Sequence, residues 1–168
     1  MGKKLFMVIS ALLATANCCF ASGLTFQIIQ HNDSLNEVCE SAMVIEDEML
    51  NYFFNSGYIV TNAPASVSSS IEMDDKLWKV AVNEAAGGSA DVFVQVHLYF
   101  NENAGESSKV SLGLIDKISW KAQAIKSGRI LEESSMKVKK PIGIDTEQNV
   151  RLFAGQFASH LKEVLKKK

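Results

Sequence analysis

The sequence is short of cysteine, of histidine and of any excess charge, and each shortage narrows what the protein can be. Three cysteines occur in 168 residues, and two of them, Cys18 and Cys19, stand together near the N-terminus. Only Cys39 follows residue 23, so no internal disulfide staples the domain. His31, His97 and His160 are the only histidines, none is four residues from another, and no Cys-x-x-Cys occurs, which removes the short-range zinc signatures. With 17 basic against 19 acidic residues the formal net charge is −2, so there is no basic surplus to recommend nucleic acid as a partner. No G-x-S-x-G, G-x-G-x-x-G or G-K-[ST] occurs, and the "GGSAD" stretch at 87–91 follows a helix, whereas a phosphate cradle precedes one. No apolar run approaches the roughly 20 residues of a membrane span.

What is present is ordinary globular usage, 47% hydrophobic and 21% charged. Residues 1–23 read as an export signal. Lys3 and Lys4 form a charged start, Leu5 to Ala16 an apolar stretch, and small residues follow. Cleavage after Ala21 or after Gly23 satisfies the small-residue rule; the alternative is a buried N-terminal helix. Loss of Lys3 and Lys4 leaves 15 basic residues against 19 acids, a charge of −4. A lipid anchor on Cys18 or Cys19 is the other open outcome, although Thr15 and Asn17 depart from a lipobox before Cys18. The chain is expected to be periplasmic, and membrane-bound only if so lipidated. Residues 24–168 are then about one domain's length.

Along that domain, "LTFQIIQ" (24–30) predicts a strand, and Ser34 with Glu37 a capping box opening a helix that runs to about Ser56, with Gly57 at its end. "YIVT" (58–61) predicts a second strand parallel to the first. A polar loop over 62–70 leads to a helix over 74–86, capped by Asp74 and Asp75. "DVFVQVHLYF" (91–100) alternates most clearly, with Val92, Val94, Val96, Leu98 and Phe100 on one face. A long strand over 109–125, a "KSGR" hairpin and a strand over 130–138 follow. A last helix starts at Asp145 or Thr146 and carries Val150, Phe153, Phe157, Leu161 and Val164 as a stripe. The order βαβαβββα predicts an α+β domain: a mixed five-stranded sheet with all three helices on one face, in two layers.

Three of these stretches carry a resemblance. "IEDEMLNYFFNSGYIVTN" runs a helix into a "GY-x-V" strand, "AAGGSADVFVQVHLYF" leads a helix end into an "A-D-x-x-V" strand, and "SWKAQAIKSGRILEESS" forms an "S-G-x-I" hairpin. With the terminal helix they resemble the small α/β domains of bacterial envelope proteins. Such domains include the lipoprotein activators of penicillin-binding proteins, the N-terminal domain of TolB and the curli-export lipoprotein. The resemblance implies a non-enzymatic periplasmic domain that binds another envelope protein, and it transfers no site residue.

The residues themselves offer one candidate surface. With the helices on the valine face, Phe93, Gln95, His97 and Tyr99 would line an open face together with Lys121 and Gln123, a mixture suited to a protein partner. Other candidates have plainer readings. Cys39 falls on the buried side of its helix, where a thiol acts as a small hydrophobe. "EDE" (46–48) fans around its helix as a solvated acidic face, and "NDS" (32–34), which matches a glycosylation triplet, is explained by capping. No catalytic residue, metal ligand or cofactor is assigned. A carrier of a small apolar ligand, held among Met43, Met49, Phe53, Phe54, Phe153 and Phe157, is the alternative function; an enzyme of unknown class is the third.

Overall fold

A computed structural model describes residues 22–32, 37–106 and 110–166. Residues 1–21 of the expected export segment, Cys18 among them, and Ser34 lie outside these residues. The first strand, β1 (Gly23–His31), is followed by α1 (Glu40–Asn55), β2 (Ile59–Asn62) and a two-residue strand, β3 (Ser66–Val67). Then come α2 (Ile71–Gly87), β4 (Val92–Phe100), β5 (Ile115–Ala124), β6 (Ile130–Lys137) and α3 (Glu147–Leu165). The sheet order is β2-β1-β4-β5-β6. The β1–β2 and β1–β4 pairs are parallel, and the β4–β5 and β5–β6 pairs antiparallel. The expected α+β class and mixed sheet are therefore present. None of the described helices is long and apolar enough to cross a membrane.

One helix is not where it was expected. From β1 the chain passes through α1 to β2 on one side, then returns through α2 to β4 on the other side of β1. Right-handed crossovers running in opposite directions deposit their helices on opposite faces. Accordingly α1 and α3 bury Ala42, Ile45, Met49, Phe53, Val150, Phe157 and Leu161 against Leu24, Phe26, Ile28, Val92, Val94, Val96 and Leu98. The helix α2 instead packs Ala81, Ala85 and Trp78 on Phe93, on the other face.

Helix ends explain the remaining differences. The helix α1 begins at Glu40, later than the Ser34–Glu37 box implied, because the buried side chain of Gln30 ties down the chain before it. Its Nε2 donates to the Glu37 carbonyl (3.1 Å) and its Oε1 accepts the Cys39 N–H (2.8 Å). At the other end Gly57 takes φ +85°, and the Tyr58 N–H returns to the Phe53 carbonyl, closing the helix as expected. The helix α2 starts earlier, capped by Ser70, whose Oγ accepts from the Met73 N–H at 3.2 Å, so Asp74 and Asp75 do not cap it. The strand β5 is shorter than predicted because Asp145 accepts hydrogen bonds from Ser111 Oγ (2.6 Å) and Gly113 N (2.6 Å), curling 112–114 into a 3-10 turn. The acidic run on α1 is also less free than expected: Arg151 of α3 lies 3.1 Å from Asp47 and 3.6 Å from Glu48.

Phe93 is fully buried, its ring 5.1 Å from that of Trp78. Phe93→Ala should therefore cost about 3–5 kcal/mol of folding stability, read from a urea melt. A loss below about 1 kcal/mol would place the ring on the surface after all.

Candidate functional site

The site forms where β1 and β4 end together. Their register pairs Ile29 with His97 and His31 with Tyr99. Strand alternation puts His31, His97 and Tyr99 on the face that α2 covers. The three rings form a stack, with His31 4.5 Å from Tyr99 and 5.1 Å from His97 between centroids. Because Ser70 takes the cap, Asp74 in the first turns of α2 is left to face the rings. Its Oδ1 lies 3.7 Å from His31 Nε2 and its Oδ2 lies 3.9 Å from His97 Nδ1. The Oδ1 atom is buried and accepts no hydrogen bond from the described residues.

A row of side chains behind His97 fixes which of its nitrogens carries the proton. Pro64 supplies a carbonyl, which can only accept, so the Gln27 amide must present Nε2 to it (3.2 Å). That turns Gln27 Oε1 toward Gln95, whose Nε2 donates to it at 2.9 Å. Gln95 Oε1 then faces His97 Nε2 at 3.0 Å, and the ring must donate there. The proton on Nε2 leaves Nδ1 with its lone pair, which meets His31 Nε2 at 2.8 Å. Burial pushes the His97 pKa down to about 4, with Asp74 pulling the other way. Burial also lowers that of His31, again against Asp74, while Lys117 adds to the lowering. Both rings are thus held neutral near pH 7.

Beyond the histidines the same face opens into a cleft of about 450 Å³. Asp74, Asp75 and Trp78 form one wall, Tyr99, Lys117, Ser119 and Lys121 the floor, and Glu133 and Ser135 the far rim. Lys117 Nζ sits 4.5 Å from the Tyr99 ring centre and Lys121 Nζ 4.7 Å from that of Trp78. On the opposite face a groove of about 600 Å³ runs between α3 and β5–β6, lined by Leu112, Trp120, Met136, Leu152, Phe153 and Phe157.

The six residues predicted for a docking face divide. His97, Tyr99 and Lys121 line the cleft. Gln95 also borders it, but its amide is buried in the row behind His97. Phe93 is core beneath α2, and Gln123 sits half-buried beside it on β5, away from the cleft. The face is open over β5 and β6 and covered over β1 and β4. The sequence places neither His31 nor Asp74 in a site, because His31 falls just past the predicted strand and Asp74 is expected to cap α2. The usable signal was topological: ligands gather at the carboxyl ends of parallel strands where the strand order reverses, which here is between β1 and β4.

The hydrogen-bonded row makes its own prediction. Gln27→Leu and Gln95→Leu should each cost about 1–3 kcal/mol, since each leaves a buried amide partner unsatisfied. The double variant should cost less than their sum by at least about 0.5 kcal/mol in a urea-melt cycle. Strict additivity would show that the two amides do not depend on each other.

Comparison with known proteins adds a family and distant likenesses. Residues 23–166 match a family model described as "Uncharacterised protein". A search of curated proteins gives no match. Similar solved structures include protein XCC0632 from Xanthomonas campestris, at 10% identity and a TM-score of 0.47, covering 88% of this chain and 87% of that one. They also include TolB from Acinetobacter baumannii, at 10% identity and 0.40, covering 86% of this chain and 28% of that one. A third is the LpoB C-terminal domain from Salmonella enterica, at 14% identity and 0.38, covering 79% and 93%.

Proposed function

The chain belongs to the family whose model matches its residues 23–166, and we propose that it is an exported, non-enzymatic binding domain of the bacterial envelope. Its partner is an extended segment of another envelope protein, taken up along the cleft. The observation that carries this reading is the uncovered cleft beside a free sheet edge. Among the described residues β6 pairs only with β5, and most of its side chains are exposed. An added strand along β6 would gain main-chain hydrogen bonds, and its alternate side chains would enter the cleft. The Lys117 and Lys121 ammonium groups and the Glu133 carboxylate set charge complementarity there. Export rests on the reading of residues 1–23, and the pairing of Gly23 with Ile59 in β1 supports a cut after Ala21 over one after Gly23. The non-enzymatic reading is supported by Cys39, whose thiol is pushed up in pKa by burial and so made a poor nucleophile.

Two measurements test this. Photo-crosslinking side chains placed at Lys117 and Ser135 in the exporting cell should give a discrete protein adduct, while one at the exposed Asn51 of α1, on the opposite face of the sheet, gives none. Equal adducts at all three positions, or none at the cleft, would overturn the docking reading. The intact mass of the exported chain should begin at Ser22 or Leu24, or at Cys18 or Cys19 with an added lipid. A mass beginning at Met1 would overturn export.

The groove between α3 and the sheet favours a second reading, a carrier of a small apolar ligand, because Leu112, Met136, Leu152 and Phe153 line a volume of ligand size. Native mass spectrometry of gently purified protein should then show a bound species that Phe153→Asp removes. A clean apo mass would exclude it.

A further inference from the structure

We propose that His31, His97 and Asp74 form a binding site for a divalent transition-metal ion of the zinc type. The inference is independent of the docking reading, since it concerns the isolated chain. It rests on the donor set, its spacing, the fixed orientation of one ring and an unsatisfied oxygen.

Two imidazole nitrogens and one carboxylate suit zinc, nickel or iron(II); magnesium and calcium prefer oxygen ligands throughout. One ligand atom from each residue lies within 4.8 Å of the other two. The separations are 2.8 Å between His31 Nε2 and His97 Nδ1, and 3.7 and 3.9 Å from these nitrogens to the Asp74 oxygens. They bracket the roughly 3.3 Å that separates two ligands each 2.0–2.1 Å from a tetrahedral zinc. An ion entering between the rings would widen the first distance and shorten the other two. All three residues stand on regular elements, β1, α2 and β4, so the adjustment falls to side-chain rotation.

The surroundings are arranged as a metal site requires. A ligating histidine commonly donates its other ring N–H to a fixed acceptor, which sets the tautomer and the ring plane. His97 does this through Gln95 Oε1, at the end of the row that starts at the Pro64 carbonyl. Its Nδ1 lone pair is therefore presented to the site permanently. His31 would move its proton from Nε2 to Nδ1 to ligate, giving up only its hydrogen bond to His97. Asp74 Oδ1, buried and without a hydrogen bond among the described residues, gains a partner. Low histidine pKa values agree with this, since only neutral imidazole ligates. Asp74 and His97 both border the cleft, so water or a donor from a docked segment can complete the shell from that side.

The test is a zinc titration of the exported, processed chain after chelator treatment and buffer exchange, by calorimetry and by competition with a chromophoric chelator. One zinc per chain should bind with micromolar or tighter affinity. His31→Gln, His97→Gln and Asp74→Asn should each weaken it by at least about tenfold, and Gln95→Leu, which acts through His97, by about tenfold. His160→Gln should not, because His160 stands by Glu132 on the other face. Cobalt(II) should give the visible absorption of a four-coordinate centre, lost in the same variants. Circular dichroism melts identify any variant that fails to fold, and Asp74→Asn, on the partly exposed start of α2, keeps the test decisive if a histidine variant does. Absence of zinc binding by the folded wild-type chain would overturn the proposal. So would equal affinity in the folded Asp74→Asn and His31→Gln variants. In either case the cluster is a hydrogen-bonded histidine pair and nothing more.

Discussion

The parallel pairing of β1 with β4 is the constraint on which the rest of this structure hangs. The two strands are not consecutive; α1, β2, β3 and α2 lie between them in sequence. Their adjacency forces one crossover to run leftward and the other rightward across the sheet, and the handedness of each then assigns its helix to a face. It also makes β1 and β4 central, buried from both sides, with burial along nearly their whole lengths. The two strand ends arrive together beneath the start of α2, where neither helix pair nor loop fills the space completely. A polar cluster can persist there because the apolar work is done elsewhere, by α1 and α3 on the far face.

The two faces of the sheet are accordingly built on different principles. The far face is a continuous apolar layer, where burial of side chains such as Phe26, Phe53 and Phe157 contributes about 1.5–3 kcal/mol each. The near face holds Gln27, Gln95, His97 and His31 in a line, and each gains its stability only through its neighbour. A row of this kind contributes little net free energy but penalises every broken member, so it fixes geometry more than it adds strength. Rigid geometry at a strand end is what a binding site needs.

The local pattern was legible wherever it depended on neighbours in sequence. The alternation of Val92 to Phe100 located the best strand, Gly57 marked a helix end, and the Val150–Val164 stripe located the last helix. The site was not legible in the same way. His97 was picked out as facing away from the valine side, which is correct, but its partner His31 is 66 residues earlier and reaches it only through the β1–β4 register. Asp74 was read as a cap because the cap that displaces it, Ser70, looked like the tail of a polar loop. Phe93 was read as exposed because the face it occupies was expected to be bare. The burial of Phe93 and the approach of Asp74 to the rings both depend on the face on which α2 lies, and no local periodicity carries that information.

The two edges of the sheet are unlike. On the β2 side the edge is broken: Pro64 has no N–H to offer and separates β2 from β3, which pair with different parts of β1. On the β6 side the edge is a single run of eight residues. A fibre needs two adhesive edges, so that each newly added chain presents a template to the next. The interrupted β2 side is thus a poorer template for a further chain than the β6 side, and Pro64 lies at the interruption.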